Sequence, residues 1–179
     1  MIAKNLKNSW IQTYTGKQFF PLAPKIDQIC IEDIAQSLGK ICRFNGHTLK
    51  FYSVAEHSIY VSHYASEKNS LWGLLHDAAE AYLGDIVRPL KPFLNGYKEI
   101  EKNLSKCIAK KFNLEWPMPE EIKQIDIAIL HDESIQVMGK KPQAWSQLSL
   151  SPLGVRIIGF DYSDATRIFL ERYQELVKC

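Results

Sequence analysis

The chain has 179 residues, 46% of them hydrophobic and 23% charged, with a formal net charge of +2, which points to one globular domain around a single sizeable core. So slight a charge argues against nucleic-acid binding as the main task, and any phosphate must be held by individually placed residues. Four scattered cysteines (Cys30, Cys42, Cys107, Cys179) argue against a zinc ribbon or disulfide framework and suit a reducing cytoplasm, where the chain is expected, with no membrane span and no leader.

The first regular feature is Trp10 to Pro21, where β-branched and aromatic residues flank Thr15-Gly16 in the pattern of a short hairpin. Pro21 and Pro24 then break the chain. The spacing predicts a short amphipathic helix over 31–38, closed by Gly39. Arg43 to His47 reads as a loop turning at Asn45-Gly46, and Leu49 to Tyr52 as a short strand. Ser53-Val-Ala-Glu56 is a capping-box sequence, in which the serine hydroxyl and the glutamate carboxylate would each accept a free amide at a helix start. That helix is expected to run to about Glu67. His57 shares a face with Val54, Val61 and Ala65 and so points at the core, whereas His63 falls off that face.

A second helix is predicted over 71–84, with Leu71, Leu74, Leu75, Ala78 and Leu83 apolar, Ser70 as its cap and Gly84 ending it in a left-handed turn. Asp85 to Pro92 is a proline-stiffened loop carrying Arg88 and Lys91. Tyr97, Ile100, Leu104, Ile108 and Phe112 mark an amphipathic helix with a charged outer face. Pro119 suits the first turn of another, from about Glu120 to Met138 and stopped by Gly139, whose isoleucines wrap Asp126. Residues 139–160 read as irregular, ending in an extended Val155 to Phe160. Asp161 or Ser163 then caps a last helix with Ala165, Phe169, Tyr173 and Leu176 inward. The expectation is an all-α helical bundle with a small N-terminal β-hairpin ornament. Trp10, Trp72, Trp116, Trp145 and Tyr82 are expected to pack, in the core or between subunits.

His76, Asp77 and Glu80 lie inside an apolar run and about one helical turn apart, so they can converge on one point. Two buried carboxylates and an imidazole are costly unless a cation or hydrogen bonds compensate. His57, His76-Asp77 and Asp126 come from three separate helices. Their nitrogen and carboxylate donors suit one divalent transition metal, Mn, Fe, Co, Ni or Zn, with Mg less favoured. A metal with open positions can acidify water and orient a phosphoryl oxygen. A second pair, His131-Asp132, lacks a matching histidine on a third helix and reads as incidental, with His131 in a buried hydrogen bond.

The order His…His-Asp…Asp resembles the HD-domain metal-dependent phosphohydrolases. Arg43-Phe44, Val54-Ala-Glu-His-Ser58, His76-Asp-Ala-Ala-Glu80, Gly84-Asp85, Pro89-Leu-Lys91 and Lys123-Gln-Ile-Asp126 are similar to the motif series of the bacterial 5′-deoxynucleotidases and small phage dATP triphosphohydrolases. The resemblance covers roughly residues 43–138 and implies a single HD-type domain. It implies His57, His76, Asp77 and Asp126 as metal ligands and Glu80 as the acid or base serving the attacking water or leaving oxygen. Asp85 would accept the sugar 3′-hydroxyl, and Arg43 and Lys91 would hold phosphate. Phe44 stands where the deoxynucleotidases carry Trp against the sugar. His47 and Arg88 are further candidate phosphate contacts. Two-metal relatives of this superfamily use extra histidines between the central His-Asp and the last Asp; none stands between Asp77 and Asp126, so one metal is expected. A homo-oligomer is implied as well.

Three activities follow as expectations. The first is hydrolysis of a (deoxy)nucleotide, either dNMP to deoxynucleoside and phosphate or dNTP to deoxynucleoside and triphosphate. The second is alarmone (guanosine tetraphosphate) 3′-pyrophosphohydrolysis, although those enzymes carry Glu-Asp where this chain has Glu80-Ala81. The third is an inert nucleotide sensor or scaffold.

Overall fold

Two short antiparallel strands, seven α-helices and four short 3₁₀ turns make up the regular structure in the computed structural model, which describes residues 9–139 and 151–178; Trp145 lies outside them. Strands β1 (Ile11–Gln12) and β2 (Gln18–Phe19) pair with Ile11 opposite Phe19, and the turn closes at Gly16, φ 83°. Helix α1 (Ile31–Lys40) holds this hairpin through Asp33, whose carboxylate accepts from Thr15 N at 2.7 Å and Thr15 Oγ1 at 3.0 Å. The helix runs two residues past its predicted end. Gly39 is no terminator: a Cβ there would strike Thr166 Oγ1 and lie 3.0 Å from the Tyr162 carbonyl. It is the bare spot on which the last helix, α7 (Tyr162–Val177), rests.

No strand forms over 49–52. Arg43 N donates to Tyr52 O at 2.9 Å and Val54 N to Ile41 O at 3.0 Å, a single bridge around Cys42 and Ser53. Only Tyr52 of that apolar run is fully buried; Leu49 and Phe51 face solvent. Helix α2 (Val54–Tyr64) begins at Ser53, whose Oγ accepts from Glu56 N at 3.1 Å. The reciprocal half of the capping box is absent. Glu56 is fully buried and its carboxylate instead accepts from Ile158 N (3.0 Å), Gly159 N (2.9 Å), Phe160 N (2.9 Å) and Tyr60 Oη (2.7 Å). Three neighbouring amides and a hydroxyl outcompete one. The helix leaves its path at Ala65 because Glu121 takes Ser66 N at 2.9 Å and Ser66 Oγ at 2.7 Å, which stops it short of the predicted Glu67.

Glu56 thereby anchors residues 158–160, and the run 155–160, expected to be extended, forms no ladder. Asp132 accepts from Leu153 N (2.8 Å) and Gly154 N (3.1 Å), and Gln136 accepts from Ile157 N (3.0 Å) and donates to Val155 O (2.6 Å). Side chains replace the missing sheet. Glu56→Ala is expected to deprive the Ile158, Gly159 and Phe160 amides of their carboxylate acceptor and cost about 2–4 kcal/mol, measured as a lower urea midpoint at unchanged slope.

The predicted helix 71–84 is two helices, α3 (Ser70–Leu75) and α4 (Glu80–Leu83). Between them the hydrogen bonds shorten to three residues: Ala78 N to Leu75 O (3.0 Å) and Glu80 N to Asp77 O (2.9 Å). Ser70 lies inside the helix and donates to Ser66 O at 3.0 Å, so it is not the cap. Gly84 has the expected positive φ, 81°, but an extended ψ of 156°, so it is not a left-handed helical turn. Helix α5 (Tyr97–Lys111) buries Leu104 and Ile108. In helix α6 (Glu120–Gln136) Pro119 occupies the cap position, one residue before the first turn, and the helix stops two residues before Met138. Asp161 caps α7 by accepting from Ser163 N at 2.8 Å and Asp164 N at 2.9 Å.

Two apolar clusters form the core, one around Ile34, Leu38, Val54, Leu74 and Phe169, the other around Tyr52, Val61, Trp72, Ile122 and Ile129. Helix α2 serves both, packing on α3, α6 and α7. His57 sits between Val54 of the first cluster and Val61 of the second and has no exposed surface, whereas His63 is exposed. Trp72 is buried beside Trp116, Tyr82 stacks on Phe19, and Trp10 lies at the surface. Among the described residues no helix is long and apolar enough to cross a membrane.

Candidate metal centre

Close approach of α2 and α3 brings the two histidines together, and Gly73 permits it. A Cβ on Gly73 would stand 2.8 Å from Ser62 Cα and 3.0 Å from the Val61 carbonyl. The Gly73 carbonyl also accepts from His76 Nδ1 at 2.7 Å. One glycine thus sets both the helix spacing and the ring direction. Gly73→Ala would raise helix propensity, but backbone atoms of α2 cannot yield cheaply. The expected result is a loss of about 1–3 kcal/mol together with weaker metal uptake, followed by thermal unfolding and Co²⁺ titration.

His57 on α2, His76 at the end of α3 and Asp126 on α6 each turn one donor atom to a common point, all within 4.8 Å of one another. His57 Nε2 lies 3.2 Å from His76 Nε2 and 3.2 Å from Asp126 Oδ1. Asp77 Oδ2 joins from the side, 3.2 Å from His76 Nε2 and 3.7 Å from His57 Nε2. A carbonyl can only accept, so His76 carries its hydrogen on Nδ1. His57 Nδ1 faces the Glu133 carboxylate at 2.8 Å and carries its hydrogen there too. Two Nε2 lone pairs and a carboxylate oxygen therefore face one another with nothing to share unless a positive charge intervenes. These residues could hold a metal ion, and the second hydrogen bond on each ring is what orients such ligands.

Without a cation, a proton takes that place. Burial by itself would lower the His76 imidazolium, but the Asp77 and Asp126 carboxylates more than offset it and push the group up to about 9. Burial would raise Asp77, yet His76, with His57 and Arg43 behind it, holds this carboxyl well below the usual range. Asp126 is likewise lowered against burial by the neighbouring His57 and His76 imidazoles. The side chains of Asp77 and Asp126 are 22% and 23% exposed against 4% for His76, so the centre opens to solvent on its carboxylate side.

Glu80 borders this point and behaves oppositely. Burial first, then the Asp77 and Asp85 carboxylates, push its carboxyl well above the ordinary glutamate range. Its Oε2 is enclosed and has no hydrogen-bond partner among the described residues, and its Oε1 is 4.0 Å from Lys91 Nζ. Asp85 is half-buried and raised by burial, with Arg43 opposing. Lys91 donates to Glu101 Oε1 at 2.8 Å, a partner ten residues further along the chain.

Arg43 is buried, 3.1 Å from Glu133 Oε2 and 3.6 Å from Asp77 Oδ2, with its Nε enclosed and unpartnered among the described residues. It is aimed inward by two successive left-handed residues, Phe44 (φ 55°) and Asn45 (φ 53°), so the turn starts one residue before the expected Asn45-Gly46. Each such residue costs about 1–2 kcal/mol, strain of the kind held at functional sites. The guanidinium lies 5.3 Å from the centroid of the Phe44 ring. Arg88 is largely exposed, with Nη2 3.5 Å from Asp126 Oδ2. His47 is exposed, and its ring makes no polar contact with the centre among the described residues.

The second His-Asp pair supplies no ligand but is not incidental. Asp132 holds residues 153–154, and the adjacent Glu133 supports His57. His131 Nδ1 is enclosed without a hydrogen-bond partner among the described residues, so that nitrogen lacks the expected bond. Glu133 was missed although a signal existed: it follows Asp126 by seven residues, two turns along the same helix face.

No protein-family profile matches the chain. YfdR of Escherichia coli K12, an uncharacterized protein, is 35% identical over 170 residues, which span 94% of this chain and 96% of the relative. A second uncharacterized protein, from Rhodobacter capsulatus, is 32% identical over 174 residues, spanning 92% of this chain and 81% of the relative.

Proposed function

This chain belongs to the family of Escherichia coli YfdR, and we propose that it is an HD-type metal-dependent phosphohydrolase acting on (deoxy)nucleotides. The observation that carries this reading is the convergence of His57 Nε2, His76 Nε2 and Asp126 Oδ1 on one point, near a Glu80 whose carboxyl is pushed well above the ordinary range by burial and Asp77. A bound divalent transition metal would supply acidified water and a polarised phosphoryl oxygen. His57, His76 and Asp126 would hold it, with Asp77 closing the set from 3.2 Å away from His76 Nε2.

The chain's own residues divide the remaining work. Glu80 delivers its proton to the leaving oxygen, a task that needs a carboxylic acid rather than a carboxylate at neutral pH. Arg43 holds the phosphoryl group by its guanidinium charge, while Arg88 and Lys91 stand near Asp126 and Glu80 as further cations. Asp85 accepts the sugar 3′-hydroxyl, and Phe44, held under Arg43, abuts the sugar. The enzyme works in the cytoplasm as a homo-oligomer.

Phosphate release and chromatographic product analysis on all dNMPs, dNTPs and their ribo counterparts, with Mn²⁺, Co²⁺ and Mg²⁺, test the proposal. Hydrolysis of any of these nucleotides supports it. Absence of turnover defeats it, and pyrophosphate released from the 3′ position of a guanosine tetraphosphate would replace it with the alarmone activity.

A further inference from the structure

Glu133 is not among the residues implied by the phosphohydrolase resemblance, yet it is a fully buried carboxylate with three polar partners. Its Oε1 accepts from His57 Nδ1 and Tyr52 Oη, each at 2.8 Å, and its Oε2 accepts from Arg43 Nη2 at 3.1 Å. A buried charge that served packing alone could be exchanged for an apolar side chain of similar volume. Here it settles a competition. His57 lies between two carboxylates, Glu133 at Nδ1 and Asp126 at Nε2, the latter at 3.2 Å. A neutral imidazole has one hydrogen to give. If Asp126 took it, Nε2 would carry the hydrogen and could bind no metal. Glu133 is closer and has no solvent to screen it, whereas the Asp126 side chain is 23% exposed, so Glu133 wins the proton.

We infer that Glu133 is a positioning residue of the metal centre, holding His57 in the tautomer that turns a bare Nε2 to the cation. Through Arg43 it also ties that ring to Asp77, since Arg43 Nη1 reaches Asp77 Oδ2 at 3.6 Å. The inference rests on the metal reading of this site but needs no nucleotide, so it stands or falls separately from turnover.

The test uses the whole chain and Co²⁺ alone, with affinity read from the visible absorption of the bound ion and by competition with a chelator. Glu133→Gln keeps the shape and removes the charge, and it is expected to weaken Co²⁺ binding by about 10–100-fold. Tyr52→Phe removes a neighbouring hydrogen bond to the same carboxylate and is expected to stay within about threefold of wild type. Equal losses in the two variants, or an unchanged Glu133→Gln, would overturn the inference. A measurement on the unmodified chain guards against a variant that fails to fold: ring ¹⁵N shifts of His57 in the Zn²⁺-loaded protein. A hydrogen on Nδ1 and metal on Nε2 are required; the reverse arrangement, or no uptake of either metal, sinks it. A chain that lost Co²⁺ affinity on Glu133→Gln yet hydrolysed no nucleotide would keep this inference and refute the proposed activity.

Discussion

Glu80→Gln is expected to lower kcat by about 10²–10⁴-fold while leaving Co²⁺ affinity close to wild type. Glutamine keeps the length and the buried volume, so the change isolates the proton. The pH dependence carries the sharper sign. Burial, Asp77 and Asp85 raise the folded pKa of Glu80, so the acid form persists above the ordinary glutamate range. Wild-type kcat should then fall as pH rises through that folded pKa, and the variant should lack this limb. Stability moves with it. A carboxyl whose folded pKa exceeds its unfolded value loses folding stability as pH climbs from the unfolded value to the folded one. Glutamine has nothing to ionise, so the variant should melt above wild type on the alkaline side. Normal turnover in Glu80→Gln, or a retained alkaline limb, would remove Glu80 from the chemistry.

His76→Ala is expected to abolish both metal uptake and turnover, in contrast to Glu80→Gln. It removes one of three converging donors and the ring that the Gly73 carbonyl orients. With at most His57, Asp77 and Asp126 left, Co²⁺ affinity should drop by more than about 100-fold, beyond the loss typical of an outer-shell change. In the cation-free chain the folded pKa of His76 is about 9 against an ordinary 6.5. The stability that this imidazolium lends is therefore full below about pH 6.5 and lost as pH rises through 9. The variant should be less stable than wild type at pH 6, and the gap should close by pH 10. Cation binding must displace that proton, so wild-type affinity should climb with pH up to about 9. A His76→Ala chain that still bound Co²⁺ tightly would mean the ligand set is misassigned.

The helices reported themselves through apolar spacing, because each buries one face: Leu104 and Ile108, or Ile122 and Ile129, follow from the 3.6-residue repeat alone. Ends and interruptions were less legible, since partners distant in sequence decide them. Gly39 reads as a stop until Thr166 is seen against it. The Glu56 carboxylate reads as half of a capping box until residues 158–160 arrive with three amides. The run 71–84 reads as one helix, and its tightening at 76–79 cannot be read from periodicity, which changes little when four residues pass from α to tighter winding.

For the site, the candidate residues lay in the chain itself: His57, His76 and Asp126, a group that could hold a metal ion, and Asp77 beside them stand out because imidazoles and carboxylates on apolar faces are costly unless paired. What one dimension withholds is which nitrogen faces the gap, and which groups far along the chain stand behind it. Gly73 sets the distance between two helices, Glu133 and the Gly73 carbonyl choose the tautomers, and Glu101 engages Lys91. Periodicity records which side of a helix is apolar, since burial acts residue by residue. Only the packed fold decides hydrogen-bond direction and helix separation, because these depend on pairs of atoms that the chain order leaves far apart.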